Sequence, residues 1–305
     1  MNLEKVALIA SMSRYECEIK KYGSEEKAKE RYLPERWQEW KDGHVDQKKN
    51  LARITSYFFP EQIISDRINF TSSFVDKYDG FVFLGGDNHF TYCSQVMLKY
   101  LRENPDQKKA VMGTVLDPKR SVGGMLNFTV EDWIDFIPEL RKDRFAIESW
   151  TALDTVVKIG SKSTSLYPSI NEVAAGEMKF WNMSRNYLFL DGQRIFPDKS
   201  SGILVVTGAA SGNGSWYDNV HWVAFQQADN FPPTAPYARI FLREHKSRSK
   251  ATLAKGQVLT IHSSNDDAGF ILPDSHEERG VPFPMGAAAE IRISPIYLPV
   301  VRRSQ

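Results

Sequence analysis

Three short segments combine polar side chains with small residues in a way that could bind or transfer a phosphate. The first is Leu84-Gly85-Gly86-Asp87. Two glycines let the backbone turn sharply and let a phosphate approach main-chain N–H groups, and the N-terminus of a following helix favours an anion. Asp87 would lie at the same rim. A tight turn with a helix N-cap explains this tetrad about equally well, because short glycine motifs recur by chance.

The second segment is the adjacent pair Asn171-Glu172. An amide and a carboxylate side by side can supply the paired donors and acceptors that ribose hydroxyls or a carboxamide require. On these two residues alone, a solvated turn is the better interpretation.

The third segment runs from Lys199 to Ser215. An apolar strand, Ile203–Val206, opens into a run of only Gly, Ala, Ser, Thr and Asn. Bare backbone amides and hydroxyls in such a run suit a polyanion or a sugar. A flexible loop is the alternative, and we favour binding.

Several common catalytic motifs do not occur in the sequence. It contains no Gly-x-Gly-x-x-Gly, no Walker sequence, no His-Glu-x-x-His and no Gly-x-Ser-x-Gly. Only two cysteines, Cys17 and Cys93, are present, so we expect reduced thiols rather than a disulfide framework or a cysteine zinc site. The histidines show no metal-ligand spacing; they are His44, His89, His221, His245, His262 and His276.

Composition excludes further classes. The 305 residues include 39 Lys plus Arg and 38 Asp plus Glu, which gives a net charge of +1. A near-neutral chain lacks the broad basic field that nucleic acid or an anionic membrane would attract, so we expect neither as a partner. No signal peptide is recognisable, and no run approaches the roughly 20 apolar residues of a membrane span. We therefore expect a cytoplasmic protein.

The elements that must position these segments differ between the two halves of the chain. In the first half, apolar runs of strand length alternate with helical patterns, which predicts a doubly wound parallel α/β sheet. The helical patterns are an amphipathic helix from Val45 onward and a helix with Phe90, Cys93, Met97 and Tyr100 on one face. The predicted strands are Val6–Ala10, Gly80–Leu84 and Ala110–Val115. We interpret the charged stretch 16–49 as exposed helices and loop, broken at Pro34. Ligands of such sheets collect at the carboxyl ends of the strands.

The second half, after about residue 150, is predicted to be β-rich. Asp191-Gly192 between two apolar runs indicates a two-residue hairpin, because both positions tolerate positive φ. The predicted strands are 154–159, 187–190, 194–196, 203–206, 258–262 and 290–293.

With these features in this order, the chain resembles the NAD kinases, and within them the mitochondrial and plant NADH-kinase-like branch. The likeness spans residues 5 to about 220. The matching segments are Ser13-Arg14-Tyr15-Glu16 (T-R-Y/L-E-F), Leu84-Gly85-Gly86-Asp87 (GGDGT), Asp117-Pro118-Lys119-Arg120-Ser121 with Gly123 (D-P-x-R-S-x-G-H-L), Ile170-Asn171-Glu172-Val173 (L-N-E-V), and Lys199-Ser200-Ser201-Gly202 followed by Thr207-Gly208 and Ser211 (K-S-S-G, then T-x-x-G-S).

The resemblance implies an NAD-kinase-like fold in two domains, with an α/β domain at 1–130, rejoined by 294–305, and a β-rich dinucleotide-binding domain at 131–293. It implies transfer of the γ-phosphoryl group of ATP, or of polyphosphate, with Mg²⁺ to the 2′-hydroxyl of the adenosine ribose of NAD or NADH. It also implies a homodimer or higher homo-oligomer.

By matching position, the resemblance gives Asp87 the role of accepting the 2′-hydroxyl proton. Phosphoryl transfer depends mainly on positioning and charge neutralisation, so a carboxylate with an ordinary pKa of about 4 could serve. The implied phosphate- or ATP-binding residues are Gly85, Gly86, Asn88, His89 and Arg120. The implied dinucleotide-binding residues are Asn171, Glu172, Thr207 and Ser211.

Some positions depart from the family pattern. Asn88-His89 replaces Gly-Thr after the aspartate, Ala210 replaces a glycine, and Asp274-Ser275 stands where the family has Asp-Gly. Two alternatives to an NAD(H) kinase therefore remain. One is a non-catalytic dinucleotide-binding protein on the same fold. The other is a kinase of another hydroxyl, such as a lipid or a sugar, because those kinases share Gly-Gly-Asp.

Overall fold

A computed structural model describes residues 1–179, 181–196, 199–212, 215–245, 250–266 and 268–304. The chain forms two compact units. Unit 1 comprises Met1–Cys93, Lys108–Ile147 and the C-terminal segment from Val300, and unit 2 comprises Ser94–Gln107 and Glu148–Pro299. The domain limits drawn from the sequence stay a prediction.

The helices and strands of the described residues follow in chain order. The α-helices are α1 (Arg14–Tyr22), α2 (Glu25–Lys29), α3 (Pro34–Thr55), α4 (Ser72–Val75), α5 (Asp87–Glu103), α6 (Val130–Arg141) and α7 (Trp216–Phe225). The strands up to the middle of the chain are β1 (Val6–Ala10), β2 (Ile63–Ile64), β3 (Gly80–Gly85), β4 (Ala110–Val115), β5 (Phe128–Thr129), β6 (Phe145–Trp150), β7 (Leu153–Ile159), β8 (Lys162–Ser165), β9 (Glu172–Glu177) and β10 (Ser184–Leu190). The later strands are β11 (Gln193–Arg194), β12 (Lys199–Ser200), β13 (Ile203–Val206), β14 (Tyr237–Leu242), β15 (Lys250–Ala254), β16 (Leu259–Ser263), β17 (Gly269–Pro273), β18 (Val281–Pro282), β19 (Ala288–Ile293) and β20 (Leu298–Arg303). In these residues no helix has the length and apolar character to cross a membrane.

Unit 1 is built on a seven-stranded sheet in the order β2-β1-β3-β4-β20-β6, with β5 also paired to β4. Strands β1 to β5 and β20 pair in parallel. The central strands β1, β3 and β4 are buried along their whole length. Strands covered on both faces read as continuous apolar runs, which explains why their sequences predicted a parallel sheet. The predicted α/β fold of the first half is confirmed.

The charged stretch that follows β1 is more regular than its composition indicates. Pro34 does not break it but begins α3, a helix of 22 residues. Proline suits the first turn of a helix because the N–H that it lacks has no partner there. The amphipathic helix predicted from Val45 onward is the second half of α3, which ends at Thr55. The helices α1, α2 and α3 enclose a small core of their own, centred on Tyr15, Ala28 and Trp37.

Unit 2 contains two antiparallel sheets, in the orders β11-β10-β16-β19-β7-β8 and β15-β14-β13-β9-β17-β18. One apolar cluster takes side chains from both sheets, including Leu188 and Ile261 from the first and Ile203 and Val205 from the second. The alternate residues Leu204 and Val206 belong to a second cluster with α7. The sheets therefore form a sandwich, with a helix covering the outer face of the second sheet. The β-rich prediction is confirmed.

The hairpin predicted at Asp191-Gly192 joins β10 to β11. Both residues have positive φ, 48° and 82°. A type I′ turn needs this at both central positions, and it matches the twist of the flanking strands. The Asp191 carboxylate also accepts a hydrogen bond from the backbone N–H of Val258 at 2.9 Å.

The sandwich core makes a direct stability prediction. Leu188 is fully buried, so Leu188→Ala should lower the free energy of unfolding by about 2–5 kcal/mol through lost apolar contact and the cavity left behind. Tyr187 is its neighbour on the other face of β10 and is 37% exposed. Tyr187→Ala, which loses a cation–π contact with Arg194, should cost about 1 kcal/mol or less. Urea unfolding of the two variants measures both values, and equal losses would contradict the assignment of faces.

Candidate functional site

The Gly-Gly-Asp segment joins a buried strand directly to a helix. Strand β3 ends at Gly85, α5 begins at Asp87, and only Gly86 lies between them. The carbonyl of Gly86 accepts hydrogen bonds from the backbone N–H groups of His89 and Phe90, each at 3.0 Å. Gly86 is thus the N-cap residue, and Asp87 is the first residue of the helix, at the carboxyl end of the parallel sheet.

Close packing is the reason that the two glycines stand here. A Cβ atom on Gly85 would lie 2.8 Å from Ser11 Oγ and 3.0 Å from His89 Cβ. A Cβ on Gly86 would lie 3.1 Å from Ser121 Oγ. Neither glycine has positive φ. They therefore serve the close approach of neighbouring segments rather than a left-handed turn.

The carboxylate of Asp87 is held by the loop that follows β4. Its Oδ1 accepts a hydrogen bond from the N–H of Met125 at 2.9 Å, and its Oδ2 accepts one from the N–H of Gly124 at 3.1 Å. The side chain is partly buried, and this burial raises the pKa of Asp87 although the two backbone N–H groups oppose the shift. A raised pKa makes the carboxylate a better proton acceptor while it stays fixed in place.

The two residues after Asp87 face in different directions. Asn88 is exposed, and its Oδ1 accepts a hydrogen bond from Arg67 at 2.7 Å. His89 is 4% exposed, and its Nε2 donates to the carbonyl of Ile9 at 2.8 Å. Burial lowers the pKa of His89 to about 4, so the ring is neutral at pH 7. This placement favours an interior structural role for His89 rather than the predicted contact with phosphate.

Arg120 lies in the loop after β4, next to Ser121. Its guanidinium contacts Asp117 at 3.1 Å and Asp46 at 3.4 Å. The predicted phosphate-side residues of unit 1 thus group at the carboxyl ends of β3 and β4, except for the ring of His89.

In unit 2 the structure brings Asn171, Glu172 and Thr207 together. Strand β9 begins at Glu172, which pairs with Val206 at the end of β13. The N–H of Thr207 donates to the carbonyl of Asn171 at 3.0 Å, and its hydroxyl donates to the carbonyl of Ile170. The start of β9 therefore lies beside the end of β13, and the two predicted segments meet at the same edge of one sheet.

Ser211 closes the turn that follows Thr207. Its Oγ lies 2.9 Å from the carbonyl oxygens of both Gly208 and Phe231, which share its one proton, and it accepts a hydrogen bond from the N–H of Phe231 at 3.0 Å. The small-residue run predicted as a binding loop is thus a short 3-10 turn, Gly208–Ala210, tied down at both ends. Asn213 and Gly214 of the same run lie outside the described residues.

A further participant in this site, Asp274, was not among the predicted site residues. Its carboxylate accepts hydrogen bonds from three successive backbone N–H groups, those of Ile170, Asn171 and Glu172, at 3.2, 2.8 and 3.1 Å. The Gln95 side chain donates a fourth at 2.8 Å.

Asp274 also shapes the turn on which it lies. It has a φ of 50° and Ser275 a φ of 58°. Asp tolerates the left-handed region better than most residues, and an Asp-Ser pair in the family's Asp-Gly position was the only sequence signal for this turn.

Two buried carboxyl groups lie together here. Burial and the neighbouring Asp274 raise the pKa of Glu172 to about 8, although the Ser275 hydroxyl donates to Glu172 Oε1 at 2.6 Å. Burial raises the pKa of Asp274 to about 6, and the backbone N–H groups and Gln95 limit that rise. Near neutral pH, Glu172 is thus the protonated partner and could donate a hydrogen bond to a ligand.

Asn171 has an unused acceptor. Its Oδ1 is buried without a hydrogen-bond partner. Buried polar atoms are nearly always paired, so an orphan at a predicted binding site is a reason to expect a ligand group there. Across the part of the chain that the structure describes, no cluster of three or more His, Cys, Asp or Glu side chains could hold a metal ion.

Comparisons with known proteins place this fold. No protein-family model matches the sequence, and no curated protein matches it either. Solved structures do match. A yeast NADH kinase in complex with NADH aligns with a TM-score of 0.62 and 12% identity over 98% of this chain and 84% of that one. An NAD kinase from Archaeoglobus fulgidus in complex with ATP aligns with a TM-score of 0.60 and 13% identity over 98% and 93%. The chain therefore has the fold of NAD(H) kinases, as its sequence predicted.

The carboxyl pair makes the stability depend on pH. Folded Glu172 keeps its proton up to a pH of about 8, whereas its ordinary pKa is 4.5. The folded state holds the extra proton between these values, so this group's contribution to the free energy of unfolding falls as pH rises through that window. Glu172→Gln should remove a slope of about 1 kcal/mol per pH unit.

Urea unfolding at pH 5, 6, 7 and 8 measures this slope. Glu30→Gln, a change at an exposed position, is the matched control and should follow the wild-type profile. A Glu172→Gln profile parallel to that of the wild type would show that Glu172 is not protonated in the folded protein.

Proposed function

We propose that this protein is an NAD(H) kinase-like phosphotransferase. It would move a phosphoryl group from ATP, or another phosphate donor, to the 2′-hydroxyl of the adenosine ribose of NAD or NADH. The observation that carries the proposal is the fixed carboxylate of Asp87, placed directly after β3 at the start of α5 in a fold shared with NAD(H) kinases over 98% of the chain.

Asp87 is the proposed proton acceptor. Two backbone N–H groups orient its carboxylate, and its raised pKa increases its basicity. As the 2′-oxygen attacks the γ-phosphorus, the hydroxyl proton passes to the carboxylate and the donor's β–γ bridging oxygen leaves with the electrons of the broken P–O bond. Positioning and charge neutralisation account for most of the rate in this chemistry, so a carboxylate at this place suffices without a histidine base.

Asn171 and Glu172 are the proposed dinucleotide-binding residues. The unpaired Oδ1 of Asn171 offers an acceptor, and the protonated carboxyl of Glu172 offers a donor. Ribose hydroxyls and amide groups on a dinucleotide carry the complementary partners. Asp274 fixes the backbone between the two side chains and so sets their spacing.

Mg²⁺ is the proposed cofactor. This ion is usually bound by one or two carboxylates together with substrate phosphates and water rather than by a complete protein cage. The Asp87 carboxylate, with no larger cluster of ligands in the described residues, fits an ion that arrives with the donor. When bound, the ion would neutralise charge on the phosphates.

The kinase proposal predicts the effect of Asp87→Asn. The variant keeps the size of the side chain but removes the basic carboxylate, so formation of NADP(H) from NAD or NADH with ATP and Mg²⁺ should fall about 100- to 10,000-fold. Asp106→Asn, at an exposed position, is the matched control and should keep full activity. Mass-detected NADP(H) formation measures both, with thermal unfolding as the check of folding.

An Asp87→Asn variant that is folded and fully active would remove Asp87 from the mechanism. Failure of the wild-type protein to make NADP(H) from ATP, other nucleoside triphosphates or polyphosphate would contradict the kinase itself.

A second prediction concerns the acceptor. Asn171→Ala removes the amide side chain but leaves the backbone N–H that donates to Asp274. The KM for NAD or NADH should rise about tenfold or more as hydrogen bonds to the dinucleotide are lost. The KM for ATP should stay near the wild-type value. Steady-state kinetics with each substrate varied in turn measures both, and an unchanged KM for NAD(H) would contradict the role.

A non-catalytic dinucleotide-binding protein is the second candidate. Two observations favour it: both oxygens of Asp87 already accept backbone hydrogen bonds, and the Asn88 side chain accepts one from Arg67. This candidate requires that NAD(H) or NADP(H) raise the melting temperature, since a ligand that binds only the folded state stabilises it. It also requires that no phosphoryl transfer accompany this binding. Transfer of phosphate to a lipid or a sugar, with no transfer to NAD, would instead favour a kinase of another hydroxyl.

A further inference from the structure

Unit 1 carries a pocket of about 220 Å³ beside the charged helices. One wall is α3, which is fixed to the ends of two central strands. Gln47 donates to the carbonyl of Ser11, just after β1, at 3.0 Å, and Asn50 donates to the carbonyl of Leu116, just after β4, at 2.8 Å. The pocket therefore lies at the carboxyl end of the parallel sheet, the edge that also bears the Gly-Gly-Asp turn.

Three guanidinium groups from three separate segments line this pocket. They belong to Arg14 at the start of α1, Arg36 in the first turn of α3, and Arg120 in the loop after β4. The guanidinium carbons of Arg14 and Arg36 lie 5.3 and 5.4 Å from the ring centre of Trp40. The aromatic ring thus orients two of the cations beside the pocket.

A glycine inside α3 accommodates the third cation. A Cβ on Gly43 would lie 3.3 Å from the Cδ, Nε and one terminal nitrogen of Arg120. Glycine is unfavourable in a helix interior, and nothing in the helix itself requires one here. The close approach of Arg120 gives Gly43 a structural reason.

Each of these cations already has a carboxylate partner, and the partners differ in exposure. Arg36 bonds Glu39 at 2.7 Å, with the two side chains 57% and 46% exposed. Arg120 bonds Asp117 and Asp46 and is more enclosed, and Arg14 bonds the buried carboxylate of Glu18. An exposed ion pair contributes little to stability, so a ligand with several negative charges could displace Glu39 from Arg36 and lie beside the other two guanidinium groups. Planar guanidinium groups match phosphate oxygens in a bidentate geometry.

The pocket is also linked by neighbouring residues to the Gly-Gly-Asp turn. Ser11, which Gln47 contacts, packs against Gly85, and Ser121, which follows Arg120, packs against Gly86. A chain of phosphates that leaves the turn would therefore meet the arginines of the pocket.

We infer that this pocket binds the phosphate chain of the phosphoryl donor, with Arg14, Arg36 and Arg120 as its ligands. The assignment of this phosphate chain to the phosphoryl donor rests on the proposed function, whereas binding of a phosphate chain does not. The charged helical segment thus gains a role as one wall of the donor site, and the pocket recognises the oligophosphate rather than a base.

Calorimetric titration with inorganic tripolyphosphate tests the inference without any enzymatic activity. The double variant Arg36→Gln/Arg120→Gln should bind at least about tenfold more weakly than the wild type, because charged hydrogen bonds to phosphate are lost. Arg53→Gln is the matched control: Arg53 lies on the same helix and pairs with Glu131 outside the pocket. It should bind like the wild type.

The variant Gly43→Ala keeps every charged residue of the pocket, so it separates the effect of the position of Arg120 from a loss of charge or of folding. The change raises helix propensity and requires the Arg120 side chain to shift by a few tenths of an ångström, so a modest weakening of tripolyphosphate binding with an unchanged or higher melting temperature is expected. Wild-type affinity in both Gly43→Ala and the double variant would overturn the inference. An absence of tripolyphosphate binding by the wild type would overturn it as well.

Parallel titrations with ATP and with NAD separate the possible sources of the phosphates. Loss of ATP and tripolyphosphate binding in the double variant with NAD binding retained supports the donor assignment. Loss of NAD binding instead would overturn it. A wild type that binds tripolyphosphate in the pocket but makes no NADP(H) would contradict the proposed function and leave the pocket assignment standing.

Discussion

A buried carboxylate that accepts three successive backbone N–H groups holds the polar residues of unit 2 in place. Asp274 lies about a hundred residues along the chain from the Ile170–Glu172 segment, yet it receives every N–H of that segment. Burying a charge without partners is costly, so the four hydrogen bonds to Asp274 both stabilise it and impose one conformation on the segment. Together with the pairing of β9 and β13, these bonds fix the backbone from which the side chains of Asn171 and Glu172 project.

Hydrogen bonds from backbone N–H groups to a carboxylate also occur in unit 1. Two backbone N–H groups hold the carboxylate of Asp87, but the side chain is only partly buried, whereas Asp274 is 3% exposed. Asp274 is therefore an anchor that keeps its neighbours in place. Asp87 keeps access to solvent, which its proposed role as a proton acceptor requires. The degree of burial, rather than the type of residue, separates the two roles.

The sequence predicted those parts of the fold that depend on local patterns. The runs Val6–Ala10, Ile203–Val206 and Ala110–Val115 match β1, β13 and β4 residue for residue, because strands covered on both faces leave continuous apolar runs. Pro34 misled the interpretation because a proline can begin a helix as well as break one.

The parts of the site that depend on residues far apart in the chain could not be predicted from the sequence. The contact of Asp274 with Asn171 has no local sequence signal, since it joins segments that meet only in the folded sheet. The interior position of His89 on α5 depends on its hydrogen bond to the carbonyl of Ile9 on β1. The Gly43–Arg120 approach likewise joins α3 to a loop more than seventy residues later.

The proposed reaction phosphorylates one particular oxygen, so the position of the new phosphate tests the proposal. Phosphorus and proton NMR of the product formed from NAD, ATP and Mg²⁺ would locate the ester. We expect a single new phosphomonoester on the 2′-oxygen of the adenosine ribose. A phosphate on any other oxygen, or no new ester while the dinucleotide binds, would contradict the proposal.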